Sequence, residues 1–345
     1  MGMITMITLG AVVLAALTLP FFFHKIEENL EFFLLGCGLL AVSLSGAWSG
    51  HLVWEALREP VFITSAVLIL GLLFKRFGHK TAPVIHRIEQ KIGPKWFLFC
   101  FVFFLGLFSS LLTAIIAALL TSEVIKLLDL DEKNKIKLTV YTCFAIGFGA
   151  VLTPIGEPLS TIVVAKLKGP PYYADFLFLF KLLGMWIIPG LLVFGILGAR
   201  LAHKPLTSSQ TDFHAGETYL TILQRTGKVY LFVAGLILLG EGLKPLAQQT
   251  ITHLSKYALY WINILSAVLD NATVASILIT PELSREVILF LLISLVTAGG
   301  LLIPGNIPNI ICAAKLNIKS RAWAKTAFPV GLSLLVVYFL ILCIV

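Results

Sequence analysis

Apolar runs about 20 residues long, enough for a helix to cross a hydrocarbon core of about 30 Å, recur from one end of this chain to the other. Short basic connections separate them, and no stretch is polar enough to form an aqueous domain. In lipid such runs must be helical, because only then is each backbone N–H and C=O satisfied within its own segment. Composition agrees: 58% of the 345 residues are hydrophobic, 13% are charged, and mean hydropathy is +0.96. A soluble domain carries about 25% charged residues, so a soluble globular protein is excluded and the lipid bilayer is the first partner. The net charge of +8 does not indicate nucleic acid, since the Lys and Arg residues are confined to the connections, where membrane topology explains them. Met1 to Phe23 lacks a basic start and a small-residue cleavage site and reads as a first span, not a removable signal peptide. The five cysteines all lie in apolar runs without CxxC spacing, which suggests neither a disulfide framework nor a soft-metal site.

Spans are expected at 4–23, 31–48, 61–77, 138–165, 175–199, 228–247, 286–314 and 326–345. Two further apolar runs, 95–128 and 257–281, carry polar residues in their middle and read either as full spans or as re-entrant hairpins. Charge favours hairpins. If both return to their own side, the connections 75–95, 126–137, 200–228 and 315–325 share one face and hold 18 of the 26 Lys and Arg residues, as the cytoplasmic side should. Both termini then lie outside. The expected organisation is N-terminal scaffold spans in 1–94, then a first repeat over 95–200 with hairpin 95–128, broken helix 138–167 and span 175–199. A cytoplasmic linker follows at 201–227. A second repeat over 228–345 has span 228–247, hairpin 257–281, broken helix 286–316 and span 326–345.

The repeat is visible as a motif. Gly149-Ala-Val-Leu-Thr-Pro154-Ile-Gly-Glu-Pro158 returns as Gly299-Gly-Leu-Leu-Ile-Pro304-Gly-Asn-Ile-Pro308, 150 residues later, and Ala165-Lys166-Leu167 as Ala314-Lys315-Leu316. Upstream, Ser109-Ser-Leu-Leu-Thr113 matches Ser266-Ala-Val-Leu-Asp270. The charge-based topology makes the two copies antiparallel, so the fold class is an all-α polytopic membrane protein of two inverted-topology repeats, each with a re-entrant hairpin and a broken transmembrane helix. Inverted repeats with interrupted helices near the midplane mark secondary transporters.

Each Pro-x-x-x-Pro interrupts a helix, because proline has no N–H and pushes the preceding residue out of helical geometry. Freed carbonyls with side-chain oxygens make a site for a hard cation. Thr153, Pro154, Gly156, Glu157 and Pro158 belong to the first break; Pro304, Gly305, Asn306, Pro308 and Asn309 belong to the second. The hairpin tips add Ser109, Ser110 and Thr113, and Asp270, Asn271 and Thr273. Ser109, Ser110 and Thr113 read either as ligands or as packing residues that bond their own helix. Glu157 and Asp270 are read as the two mid-segment carboxylates, each costing about 3 kcal/mol near the bilayer centre. A buried carboxylate that binds either H⁺ or Na⁺ is the minimal device of an antiporter.

At Asp270-Asn-Ala-Thr-Val-Ala-Ser276 and the two proline elements the chain resembles the ion transporter superfamily of NhaD-type sodium/proton antiporters, ArsB-type arsenite pumps and divalent-anion/sodium symporters. More closely, it resembles a compact family labelled predicted cation transporters. The resemblance implies a scaffold plus a transport unit of two hairpins and two broken helices, in a homodimer with an elevator-like displacement. It also implies ion ligands at Asp270, Asn271, Thr273, Asn306 and Asn309, with Thr113 and Glu157 as first-half counterparts. The first hairpin lacks the Asp-Asn pair, and neither break has the Ser-Asn-Thr signature of the carboxylate symporters.

The resulting expectation is an inner-membrane secondary transporter exchanging Na⁺ for H⁺ by alternating access, with Na⁺ at Asp270, Asn271, Glu157 and Asn306. Small inorganic ions are its partners, and no cofactor is expected. A sodium-coupled symporter of a small anion is the alternative. A membrane enzyme is a third reading, for which the sequence offers no nucleophile and base pair, no HExxH and no ligand cluster.

Overall fold

The computed structural model describes residues 3–23, 25–26, 29–201, 218–251, 254–269 and 271–344. Asp270 and most of the expected linker, 202–217, lie outside the described residues. In chain order the helices are α1 (Met3–Phe22), α2 (Leu30–Ser45), α3 (Gly50–Ile92), α4 (Pro94–Leu112), α5 (Ala114–Leu127), α6 (Glu132–Ala150) and α7 (Pro158–Lys166). They continue as α8 (Phe178–Ala199), α9 (Tyr219–Ile251), α10 (Lys256–Ile262), α11 (Asn271–Leu278), α12 (Arg285–Gly299), α13 (Ile307–Leu316) and α14 (Ser320–Ile344). Among the described residues there is no strand, and 6 helices are long and apolar enough to cross a membrane. The chain is an all-α, multi-pass membrane protein.

Two expected connections are helical. The 61–77 span belongs to one 43-residue helix, α3, which runs through Pro60 and Pro83 and absorbs the basic 75–95 segment as far as Ile92. The charges there do not end the helix. At Pro60 the ladder loses an N–H, and the Thr64 hydroxyl donates to the Pro60 carbonyl at 2.8 Å. Likewise α9 begins at Tyr219, nine residues ahead of the expected span start at 228.

α9 packs against α2 and α3, so these N-terminal helices and α9 form one body. Close approach of α2 and α9 depends on small residues, as is common between membrane helices. A Cβ on Gly38 would lie 2.6 Å from the Gly235 carbonyl oxygen. Lys228 of α9 pairs with the buried Glu31 of α2 at 2.9 Å, and Tyr230 donates to the Leu57 carbonyl at 2.8 Å.

Contacts between helices trace the course of the two ambiguous runs. Although α4 is long enough to cross by itself, its start lies beside Gly198 at the end of α8 and near Leu138 at the start of α6. Thr113 then turns the chain, and α5 runs back alongside α13: Cys312 donates to the Ala118 carbonyl, and Lys315 reaches Glu123. Both ends of 94–127 are therefore at the end of the molecule that also holds Lys228, Lys315 and the start of α14. The second run behaves likewise at the opposite end. Lys256, opening α10, is ion-paired with Glu286, opening α12, and Tyr172 donates to the Leu283 carbonyl just after α11. In the loop at that end the Asp175 carboxyl is held below its ordinary value by a hydrogen bond from the Lys181 ammonium in the first turn of α8. Hence α4 and α6 enter from one end, and α10 and α12 from the other.

The return arms cross between halves. α5 packs on α13, and α11 packs on α7. This exchange is reciprocal and ties each hairpin to the other half's broken helix.

If the α2 and α9 backbones must touch at Gly38, Gly38→Ala lowers stability by about 1–3 kcal/mol through overpacking, read as a lower melting temperature of the detergent-solubilised protein. Gly36→Ala, where nothing lies within 4 Å of the added carbon, leaves it unchanged.

Candidate functional site

Both breaks follow one plan. After α6 the backbone is irregular over 151–157, and after α12 over 300–306 apart from a short 3₁₀ turn at Ile303–Gly305. Glu157 and Asn306 are the N-cap residues of α7 and α13, with φ of −157° and −155°, and Pro158 and Pro308 stand in the first turns behind them. Proline suits those positions, whose N–H groups lack helical partners anyway. Structurally, then, Glu157 corresponds to Asn306, whereas aligning the prolines matches Glu157 with Ile307. The shift is one residue. It also matches Gly156 with Gly305: a Cβ on either would collide with the carbonyl six residues earlier, that of Ala150 or Gly299.

The hydroxyls of the first half are engaged with backbone. Ser109 donates to the carbonyls of Gly106 at 2.5 Å and Ile146 at 2.9 Å, and Ser110 donates to Leu107 at 2.8 Å. The Thr153 hydroxyl donates to the Ser110 carbonyl at 2.5 Å, and the Ala114 amide donates to the Gly156 carbonyl at 2.8 Å. The first hairpin tip is thus stitched to the first break. Thr113, at the tip, has φ 72°, a conformation that β-branched residues rarely adopt, and it takes the Ile116 amide on its hydroxyl at 3.4 Å. Glu157 is buried and forms a capping box with Ser160, whose hydroxyl also donates to the Glu157 carbonyl at 2.7 Å. Thr161 closes the break by donating to the Pro154 carbonyl at 2.6 Å.

The second half differs. Asn271, 2% exposed, has neither amide atom hydrogen-bonded. It lies against Gly299, where a Cβ would displace it. Asn309, 1% exposed, donates to the carbonyls of Gly299 at 2.8 Å and Leu302 at 2.9 Å, leaving its Oδ1 buried without a donor. Gly299 therefore joins the end of α12, the start of α11 and the face of α13. Toward the end that holds Lys256 and Glu286, Asn263 donates to Ser294 Oγ at 2.7 Å and leaves its own Oδ1 unpartnered, as is the Ser266 hydroxyl. A cavity of about 270 Å³ between α1, α9 and this hairpin is lined by Asn263, Ser266 and Thr273. Leaving such a group buried without a partner costs about 1–3 kcal/mol, and here several share one region.

Other sequence-selected residues lie elsewhere. Asn306 accepts the Ile307 amide on Oδ1 at 2.8 Å and sets its amide nitrogen against Gly147 of α6. Thr273 faces Gly240 of α9, not the break. Asn263 was not among the sequence candidates, although it stands three residues before Ser266 and seven before Asp270, a spacing that shares one helix face.

Among the described residues Glu157 is one of several buried carboxylates. Glu123 on α5 is buried and lies 2.5 Å from Lys315 on α13, with Lys126 at 3.8 Å. Lys166, the counterpart of Lys315 in the Glu157–Asn306 register, instead donates to the Ser276 and Ile279 carbonyls at the end of α11. Both lysines reach from a second half-helix to the other half's return arm. The matched spacing of the two lysines was visible in the sequence; their partners were not.

The chain belongs to the family described as "Protein of unknown function (DUF1646)", whose model matches residues 6–345. No curated protein matches it.

Breaking the Glu123–Lys315 pair strands a buried charge, which costs about 3–5 kcal/mol, whereas replacing both partners with apolar residues is often close to neutral. Lys315→Met therefore lowers the unfolding temperature sharply, and the double variant Glu123→Leu/Lys315→Met recovers most of the loss in the same melt.

Proposed function

Taking membership of that family as the starting point, we propose that the chain is a secondary active transporter exchanging Na⁺ for H⁺ by alternating access. Related to this is the inference that the halves are inverted repeats of the kind found in NhaD-like and ArsB-like transporters, in an inner membrane with both termini outside. The observation that carries the reading is the group of buried amide and hydroxyl atoms without partners at the second hairpin and break. Oxygens desolvated in advance bind a hard cation well, because the cation supplies the interaction that folding left unmade. Asn271 Oδ1 and Asn309 Oδ1 are the oxygens of this type nearest Gly299. Asp270, adjacent to Asn271 in the chain, would supply the charge and the alternative proton site.

Symport of an anion has weaker support. An anion would use the N-terminal amides of the half-helices, but the N-terminus of α7 is already capped by the Glu157 carboxylate and that of α13 by the Asn306 side chain.

The test uses proteoliposomes with an internal pH reporter. Asp270→Asn and Glu157→Gln are expected to abolish sodium-dependent proton movement; unchanged exchange in both variants overturns the reading. A second measurement separates binding from folding. Asn271→Ala removes no hydrogen bond and is expected to leave the Na⁺-free melting temperature nearly unchanged. In the wild-type protein, Na⁺ at 100 times its Kd adds about 2.7 kcal/mol of stability, and Asn271→Ala loses that increment. Asn309→Ala, which forfeits two hydrogen bonds, lowers the Na⁺-free melting temperature as well.

A further inference from the structure

A second cavity, of about 450 Å³, lies at the basic end between the N-terminal body and the second broken helix. Its volume is in the range of ligand pockets, about 300–1,000 Å³. The walls come from the start of α2, from α9, from α13 and from the turn into α14. Two kinds of surface meet there. The interior is apolar, with Phe232, Ile303 and Ile310 all buried, and the mouth carries Arg225, Lys228 and Lys319. Glu31 is the one carboxylate among the described lining residues, and Lys228 neutralises it at 2.9 Å. The described lining residues therefore carry net positive charge.

Backbone adds to this. The chain passes from α13 into α14 at the mouth, and the first-turn N–H groups of a 25-residue helix carry partial positive charge there. The opposing carbonyl end of α13 is partly neutralised, because the Ala313 carbonyl already accepts the amides of Asn317 and Ile318.

We propose that this cavity binds an anionic phospholipid, with the phosphate held by Arg225, Lys319 and the α14 N-terminus and the start of an acyl chain lying on Phe232, Ile303 and Ile310. The common chemistry is a phosphate ester; the apolar interior selects the lipid over a free phosphate. The cavity also opens at the end carrying most of the basic residues, which charge assigns to the cytoplasmic leaflet, and basic pockets between membrane helices on that side suit such head groups. A lipid seated there would touch α2 and α9 on one side and α13 on the other.

The experiment measures binding to the delipidated, full-length protein in detergent by native mass spectrometry and by thermal shift. The probes are dioleoylphosphatidylglycerol, dioleoylphosphatidylcholine and glycerol 3-phosphate. The wild-type protein is expected to bind the anionic lipid at least tenfold more tightly than the zwitterionic one, with no shift from glycerol 3-phosphate. Lys319→Gln is expected to reduce that preference while retaining the lipid-free melting temperature, Lys319→Arg to keep it, and Lys319→Gln with Arg225→Gln to remove it whatever the melting temperature of that double variant. Lys228 is left intact, since its loss would strand the buried Glu31. Should the double variant not fold, Lys319→Gln alone is expected to weaken anionic-lipid binding measurably. Equal affinity for the two lipids, or a folded variant that retains the preference, overturns the proposal. A shift from glycerol 3-phosphate equal to that from the anionic lipid overturns the lipid assignment in favour of a soluble phosphate.

Discussion

A hydrocarbon interior offers no water to a broken backbone, so each interruption of a helix must be sealed by protein groups or line a polar cavity. The architecture turns on this requirement. The hairpins deliver the groups that do the sealing: the Ala114 amide and the Ser110 carbonyl reach the first break, and Ala267, just before the second tip, packs beside Gly305. The half-helices add their own caps through Glu157, Asn306, Thr161 and Asn309. Without the hairpins the breaks would be open wounds in the bilayer; without the breaks the tips would have nothing to meet.

The two halves meet this requirement unequally. In the first, every hydroxyl of Ser109, Ser110, Thr153 and Thr161 donates to a carbonyl. In the second, Asn271 and Asn309 keep unmet capacity at a place where burial makes that expensive. One half reads as frame and the other as receptor. Because α5 packs on α13 and α11 on α7, a change in one half's break bears on the hairpin of the other, and the buried Glu123–Lys315 pair and the Lys166 contacts fasten both junctions.

Several of these features could be read from residue types and spacing. Prolines at 154, 158, 304 and 308 announce the interruptions because the missing N–H is a property of the residue itself, and apolar length announces helices in lipid. The basic connections foretell one end of the molecule, since charge stays out of hydrocarbon wherever it sits in the chain. Other features needed partners. Aligning the prolines sets the two breaks one residue out of step with their N-cap residues, because proline is tolerated at either of the first two helical positions. Asn263 gives no signal of its own in an apolar run, and only the fold shows that Ser294, 31 residues away, takes its donor side and leaves Oδ1 unpartnered. Basic residues between 75 and 95 suggested a connection because charge reports solvent, whereas helical hydrogen bonds continue regardless, as in α3.

The amino-acid sequence by itself determined that the chain spans a membrane, that its spans are helices, and that two of them are broken at matched points, since each follows from properties a residue carries alone: apolarity, charge and the lack of a proton on proline nitrogen. Only the tertiary structure decided which polar atoms are spent on sealing the breaks and which remain available. Satisfaction of a buried group depends on what stands within about 3 Å of it, and in this fold those neighbours come from far along the chain.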